Sequence, residues 1–336
     1  MALSNRVSST ISVAVTVREA ISGNVVGTHN ISLPGNGHVA FLLNDATLGY
    51  PETANIGGTL RFDVTASGNV TQALGQLSVL GLRFSPSGAF TSTPVFVPAS
   101  AATLATAGSG AHFAVGGGWK TTFTLVNTSS SSSTVVLKFA DDSGNPLSLP
   151  LSFPQTPAMP AQTTSTYNAT LAPGTLLQVQ AANPANPTQQ TGWAQLTASG
   201  GATGFAVFEY QPLSGGKQEA VVPFETRQAN SYVLAYDNTN RYFSGVAVSN
   251  TTSAAVNVTV TVRDGITGAV SGTHALALPA MGHKAFLLSD ATLGYPETAN
   301  GAGTIEYSTG TPGQISVLGL RFNANAAFTS TPALAK

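Results

Sequence analysis

The sequence predicts an all-β chain built from tandem antiparallel β-sandwiches. Three observations carry this reading: apolar and polar residues alternate with a period of two, Pro and Gly recur at short intervals, and the chain repeats itself. Alternation marks strands with one buried face. Closely spaced turn residues divide a chain into short strands rather than helices.

The internal repeat sets the organisation. Phe41–Asn55 (FLLNDATLGYPETAN) matches Phe286–Asn300 (FLLSDATLGYPETAN) at 14 of 15 positions. Ser4–Thr28 aligns with Ser249–Thr273 at the same offset of 245, which pairs His29 with His274 and His38 with His283. Gln76–Phe84 (QLSVLGLRF) aligns with Gln314–Phe322 (QISVLGLRF) at an offset of 238, and AFTSTP recurs at Ala89 and Ala327. The first copy therefore carries seven extra residues around Ser67–Leu74. Between the two lies a diverged copy. Trp119–Pro146 follows the pattern of Tyr242–Gly268, and Phe205–Tyr210 (FAVFEY) stands where VLGLRF stands in the outer copies. The expected units are residues 1–97, 111–226 and 230–336, with residues 98–110 (PASAATLATAGSG) as a flexible linker.

Each element follows from its residues. Arg6 followed by Ile11–Val17 has the outline of a signal peptide. Its repeat partner Ala255–Arg263 is interior, so both are strands. Leu42–Thr53 breaks the alternation, and Asn44 (Ser289 in the last copy) is expected to cap one helical turn ending before Pro51 or Pro296. In the middle copy Thr134–Ala140 and Leu147–Phe153 flank a turn at Asp141–Pro146. In the last copy Val256, Val258, Val260 and Val262 alternate with Asn257, Thr259 and Thr261, then Asp264-Gly265 turns the chain back through Ala269–Pro279. The third copy opens with Tyr232–Val248 and the middle copy has a counterpart at His112–Val126, but the first has none. Its opening strands are expected to be lacking, either because the chain is a piece of a longer array or because another chain supplies them. Two packed sheets in a repeat of this size read as an Ig-like sandwich.

Composition narrows the function. Charged residues are 8% of the chain, against about 25% in an ordinary soluble domain. A hydrophobic fraction of 42% with a net charge of −1 does not fit a disordered chain, and 13 Lys and Arg leave little to neutralise phosphates. Apolar runs such as Ala40–Leu43 are too short to span a membrane as a helix. With no cysteine there is no disulfide, thiolate metal site or thiol nucleophile. The Gly/Ser/Thr/Asn-rich, charge-poor character accords with an extracellular or cell-surface protein.

Gly116–Asn127 (GGGWKTTFTLVN) with Phe139–Leu149 (FADDSGNPLSL), and HVAFLLNDATLGYPETA with SVLGLRF in the outer copies, carry a resemblance. Together they resemble tandem Ig-like β-sandwich modules of uncharacterised secreted or surface proteins of environmental bacteria. The resemblance covers nearly the whole chain and implies fold and location. It brings no catalytic residues.

The candidate sites are weak as chemistry. His29 and His38, repeated as His274 and His283, flank a Pro-containing turn, but no third ligand recurs at a fixed spacing, so they read as polar residues at strand ends. His112 has no partner in the outer copies. Asp45 and Glu52 recur as Asp290 and Glu297; a glycosidase needs two carboxylates facing across a cleft, and the middle copy lacks both. Asp141-Asp142-Ser143-Gly144-Asn145 lacks the ordered spacing of a calcium loop and reads as a turn. Gly116-Gly117-Gly118 leads into a strand rather than a helix, unlike a phosphate loop. No G-x-S-x-G or H-E-x-x-H is present. Arg83 and Arg321 occupy the slot of Glu209, which reads as a solvent-facing position. Sequons at Asn30, Asn69, Asn127, Asn168, Asn250 and Asn257 read as chance matches in a Ser/Thr-rich chain.

Sequence alone thus points to a non-enzymatic structural or adhesive array without cofactor or metal, whose partners are other copies of itself or neighbouring surface proteins. Assembly by strand complementation between chains is the sharper form of this expectation. The alternative is a carbohydrate-binding module whose platform would be Trp119, Trp193 or Tyr242, although aromatics in a sandwich more often pack in its core. Neither nucleic acid nor membrane insertion is expected.

Overall fold

A computed structural model of the chain describes residues 1–65, 75–85, 88, 90–96, 107–212 and 216–336. Within them the regular structure is almost wholly antiparallel strand. The extra residues around Ser67–Leu74, the sequon at Asn69 and most of the expected linker lie outside the described residues. The last part of that linker does not: residues 107–110 open a strand.

The N-terminal segment contains β1 (Ala2–Asn5), β2 (Ile11–Glu19), β3 (Val25–Leu33), β4 (His38–Ala40), β5 (Gly58–Thr65), β6 (Leu77–Phe84) and β7 (Phe90–Thr93). They form sheets in the orders β4-β1-β6-β7 and β3-β2-β5. The middle segment contains β8 (Ala107–Val115), β9 (Trp119–Asn127), β10 (Ser133–Ala140), β11 (Leu149–Ser152), β12 (Gln162–Thr164), β13 (Thr166–Leu171), β14 (Leu176–Ala182), β15 (Gln190–Ala198), β16 (Ala202–Tyr210) and β17 (Gln218–Pro223). Their orders are β13-β10-β15-β8 and β12-β11-β14-β9-β16-β17. The C-terminal segment contains β18 (Ser231–Asp237), β19 (Phe243–Asn250), β20 (Val256–Asp264), β21 (Val270–Leu278), β22 (His283–Leu287), β23 (Ala302–Ser308), β24 (Ile315–Phe322), β25 (Phe328–Thr331) and β26 (Leu334–Ala335). Its orders are β21-β20-β23-β18-β26 and β22-β19-β24-β25.

Alternation becomes burial as expected of a pleated strand with one face inward. Val256, Val258, Val260 and Val262 are buried while Asn257 and Thr259 are exposed. The repeated sequences also repeat their registers. Val13 faces Ile31 as Val258 faces Leu276, and both hairpins carry a bulge at the same place, Val17/Arg18 and Val262/Arg263. Three apolar clusters result, one per segment; the middle one also takes in Ala247, Leu318 and Leu320 of the C-terminal segment.

The expected helical turn is corrected. Asp45 Oδ1, not Asn44, accepts from the N–H groups of Thr47 and Leu48 at 2.8 Å, as Asp290 does from Thr292 and Leu293. The 3-10 turns begin at the proline (Pro51–Thr53 and Pro296–Thr298) instead of ending before it. Proline at the first helical position has its φ already set and no N–H to leave unpaired.

Candidate functional site

The most informative surface is the edge of β5 that has no strand partner among the described residues. In the C-terminal segment the equivalent strand, β23, is paired on both sides, with β20 and with β18. Strand β18 places Tyr232, Leu234 and Tyr236 in that segment's core. Among the described residues β5 pairs with β2 only. The consequence shows in the residues beneath. Ile305 and Tyr307 are fully buried, whereas their equivalents Leu60 and Phe62 are half-buried. A groove of about 500 Å³ opens beside them, lined by Val17, Leu43, Thr53, Ile56, Gly58 and Leu60, among others. In the C-terminal segment the same place holds Tyr236, whose ring lies against Gly303, and Asn238. Asn238 donates through Nδ2 to Thr298 O at 3.0 Å and through its backbone N–H to Gly301 O at 2.8 Å. Gly303, Thr298 and Gly301 correspond to Gly58, Thr53 and Ile56.

A second surface is the junction of the middle and C-terminal segments. Phe328 packs on Phe208 and Trp119, with ring centroids at 5.5 and 5.4 Å. Trp193 Nε1 donates to Met281 O at 2.6 Å, and Ser316 Oγ donates to Ser109 O at 3.2 Å. A polar chain crosses the same junction. His283 Nδ1 lies 2.8 Å from Asp142 Oδ1, and its Nε2 lies 3.2 Å from His112 Nδ1. Burial, reinforced by His283, pushes His112 down to about 3, and Asp142 opposes the shift. The His283 hydrogen bond leads in holding the Asp142 carboxyl below its usual range.

Of the histidines of the outer copies, His38 and His283 stand at strand ends, opening β4 and β22, whereas His29 and His274 do not. His29 lies inside β3, 2.5 Å from Glu52 and stacked on Tyr50; His274, Glu297 and Tyr295 repeat the arrangement. Asp45 and Glu52, which the sequence did not favour as a catalytic pair, have separate tasks, Asp45 in its turn and Glu52 on His29. Glu52 is held below the usual carboxylate range: burial, the largest influence, pushes it up, but the His29 hydrogen bond, a hydrogen bond from its own backbone N–H and the His29 charge together outweigh it. Sequence spacing could not reveal the dyad, because the two residues belong to a strand and a loop 23 positions apart. The one signal was that both recur at the offset of 245.

Glu209 corrects another expectation. It is buried, not solvent-facing, and pairs with Lys120 at 2.8 Å and with Lys217. Its repeat counterpart Arg83 reaches across from the N-terminal segment to Glu219 at 3.0 Å. Arg321 instead pairs with Asp237 at 3.1 Å and lies 3.7 Å over the Tyr242 ring.

The three aromatics proposed as a sugar platform have different settings. Trp119 is half-buried and stacked on Tyr210 at 4.7 Å. Trp193 is fully buried, so its faces are closed to a ligand. Tyr242 has one face under the Arg321 guanidinium. Gly116, Gly117 and Gly118 all have positive φ and turn β8 into β9, a path glycine takes without strain. The oxygen-rich loop is a turn in which Asp141 Oδ1 accepts from Ser143 and Asn145 N–H. Among the described residues no group of three or more His, Cys, Asp or Glu is gathered as a metal site.

Sequence reasoning missed a buried asparagine shared by all three segments. Asn5, Asn127 and Asn250 each donate through Nδ2 to carbonyls of two separate stretches of chain: Asn5 to Ser9, Leu33 and Pro34, Asn127 to Ser131, Leu171 and Ala172, Asn250 to Ala254 and Pro279. Each Oδ1 accepts the N–H two residues on, at Val7, Ser129 and Thr252. The Ser-Asn and Val-Asn dipeptides at equivalent positions were the available signal. Full burial also closes the sequons at Asn127 and Asn250 to a glycan.

Comparison with known proteins finds no matching family model, no matching curated protein and no matching solved structure.

Proposed function

We propose that this chain is a non-enzymatic structural or adhesive protein of a cell surface or filament, a tandem array of three Ig-like modules completed by β-strand addition. The observation that carries the reading is the open β5 edge beside a groove that β18 fills in the C-terminal module. An unpaired edge presents a row of backbone donors and acceptors that natural proteins normally cover. Here the covering strand is specified by the molecule's own example, with apolar side chains at alternate positions as in Tyr232, Leu234 and Tyr236. The same buried asparagine in each segment, and equal registers in the outer two, support the count of three modules. The carbohydrate-binding alternative draws no support from Trp193, which is buried.

The test is a labelled peptide with the sequence of residues 231–238 (SYVLAYDN), added to the intact chain and followed by fluorescence anisotropy and thermal unfolding. Saturable binding with a raised Tm is expected, lost when the peptide's two tyrosines and leucine are replaced by serine. No binding at millimolar peptide, or equal binding of the serine peptide, would overturn the reading.

A further inference from the structure

The outer face of the sheet β4-β1-β6-β7 repeats the side chains of an interface already formed in this molecule and has no such partner among the described residues. In the C-terminal segment the corresponding face, on β22-β19-β24-β25, is covered by the middle segment: Leu318 is 4% exposed and Leu320 9%, and Phe322 and Phe328 pack against the middle core. In the N-terminal segment the same positions are Leu80, Leu82, Phe84 and Phe90, at 47%, 37%, 55% and 64% exposure. The identities are unchanged although the environment is opposite. Ala247, Ser316 and His283 likewise recur as Ala2, Ser78 and His38, and His38 is exposed where His283 is 1% exposed. The departures Met281 to Asn36 and Ala280 to Gly35 fall where the contact is made by a backbone carbonyl, Met281 O with Trp193 and Ala280 O beside Gly144, and Met281 and Asn36 hold the same left-handed backbone at φ 55°. Positions without such contacts have drifted: Lys284 on the same sheet is Val39, and Glu306 and Ser308 on the other sheet are Arg61 and Asp63.

We propose that this face docks a further module of the middle type, presenting a free β8-like edge strand with its Trp119 and Trp193 equivalents, as the C-terminal face docks the middle segment here. The proposal rests on the reading of the chain as part of an array. The occupant follows from continuity with the existing junction: Leu80, Leu82 and Phe90 would meet the surface that Leu318, Leu320 and Phe328 meet, His38 the counterpart of His112, and the Asn36 carbonyl the counterpart of the Trp193 indole N–H. A second wild-type copy cannot offer that surface, because its own C-terminal segment covers it. Each such contact would join unlike faces, so the arrangement extends rather than closes.

The full-length chain supplies the probe. Leu318→Glu with Leu320→Glu places charges in the existing junction and frees the middle surface, leaving the separate C-terminal core intact. Sedimentation velocity should show wild type as a monomer and this variant as concentration-dependent oligomers. Adding Leu80→Glu and Leu82→Glu should weaken that association at least tenfold. A monomeric, natively folded double variant would overturn the proposal. So would association that survives all four changes, or wild-type self-association abolished by Leu80→Glu/Leu82→Glu, which would mean that the face pairs with itself. If the glutamates unfold the chain, Leu318→Ser/Leu320→Ser loosens the same junction, and His38→Cys with His112→Cys in that background should give disulfide-linked multimers. Monomers alone would again overturn it. The Leu80→Glu/Leu82→Glu chain should still bind the strand peptide, since the β5 edge lies on the other sheet, so failure here leaves the strand-addition reading standing.

Discussion

The N-terminal and C-terminal segments share long stretches of sequence and the same strand registers, yet among the described residues the edge of β23 is covered by a strand and that of β5 is not. Ile305 lies beneath a covering strand and Leu60 beside an open groove; Leu318 sits in a junction and Leu80 in solvent. The difference teaches that pattern decides which face of a strand is apolar, while neighbours decide whether that face is buried. An exposed apolar face whose twin is buried elsewhere in the same chain is a surface with a known fit, which distinguishes it from apolar residues scattered singly over a surface.

The comparison breaks most visibly at the junction. Leu318→Ala should cost about 2–4 kcal/mol by leaving a cavity among the rings and leucines of the middle core, whereas Leu80→Ala should stay within about 0.5 kcal/mol. Denaturant unfolding of the two variants measures the contrast; equal costs would mean that the N-terminal face is buried in solution. The asparagines sharpen the comparison from the other side, because they are the same in all segments. Asn127→Ala and Asn250→Ala each strand buried carbonyls and should cost about 2–3 kcal/mol, with Asn5→Ala alike. A cost confined to one segment would contradict a shared role in tying the loops.

The junction also carries a pH dependence that the N-terminal face cannot show. His112 is held neutral to about pH 3 in the folded chain but accepts a proton near 6.5 when unfolded. The unfolded state therefore binds the extra proton between these values, so its contribution is fully present above pH 6.5 and is lost as the pH falls towards 3. The slope is at most about 1.4 kcal/mol per pH unit. Asp142, held low chiefly by His283, adds loss in the same direction below its ordinary range near 3.8. Urea titrations from pH 7 to 4 should show His112→Asn flattening the slope; an unchanged slope would place the titration elsewhere.

The all-β class, the alternating strands, the turn at Asp264-Gly265 and the near-identity of the outer copies were legible because each rests on residues close in sequence. The shortage of charge and the lack of cysteine were likewise plain. What sequence could not reveal depends on contacts between distant residues. His29 meets Glu52, Arg83 meets Glu219 and His112 meets His283 across 23, 136 and 171 positions. Glu209 looked solvent-facing because its slot holds arginine in the outer copies, yet Lys120 and Lys217 allow it to be buried. A periodic pattern determines local geometry and the side on which a core forms. Only the tertiary structure decided which apolar faces found partners, because burial is a property of two surfaces and a sequence pattern describes one.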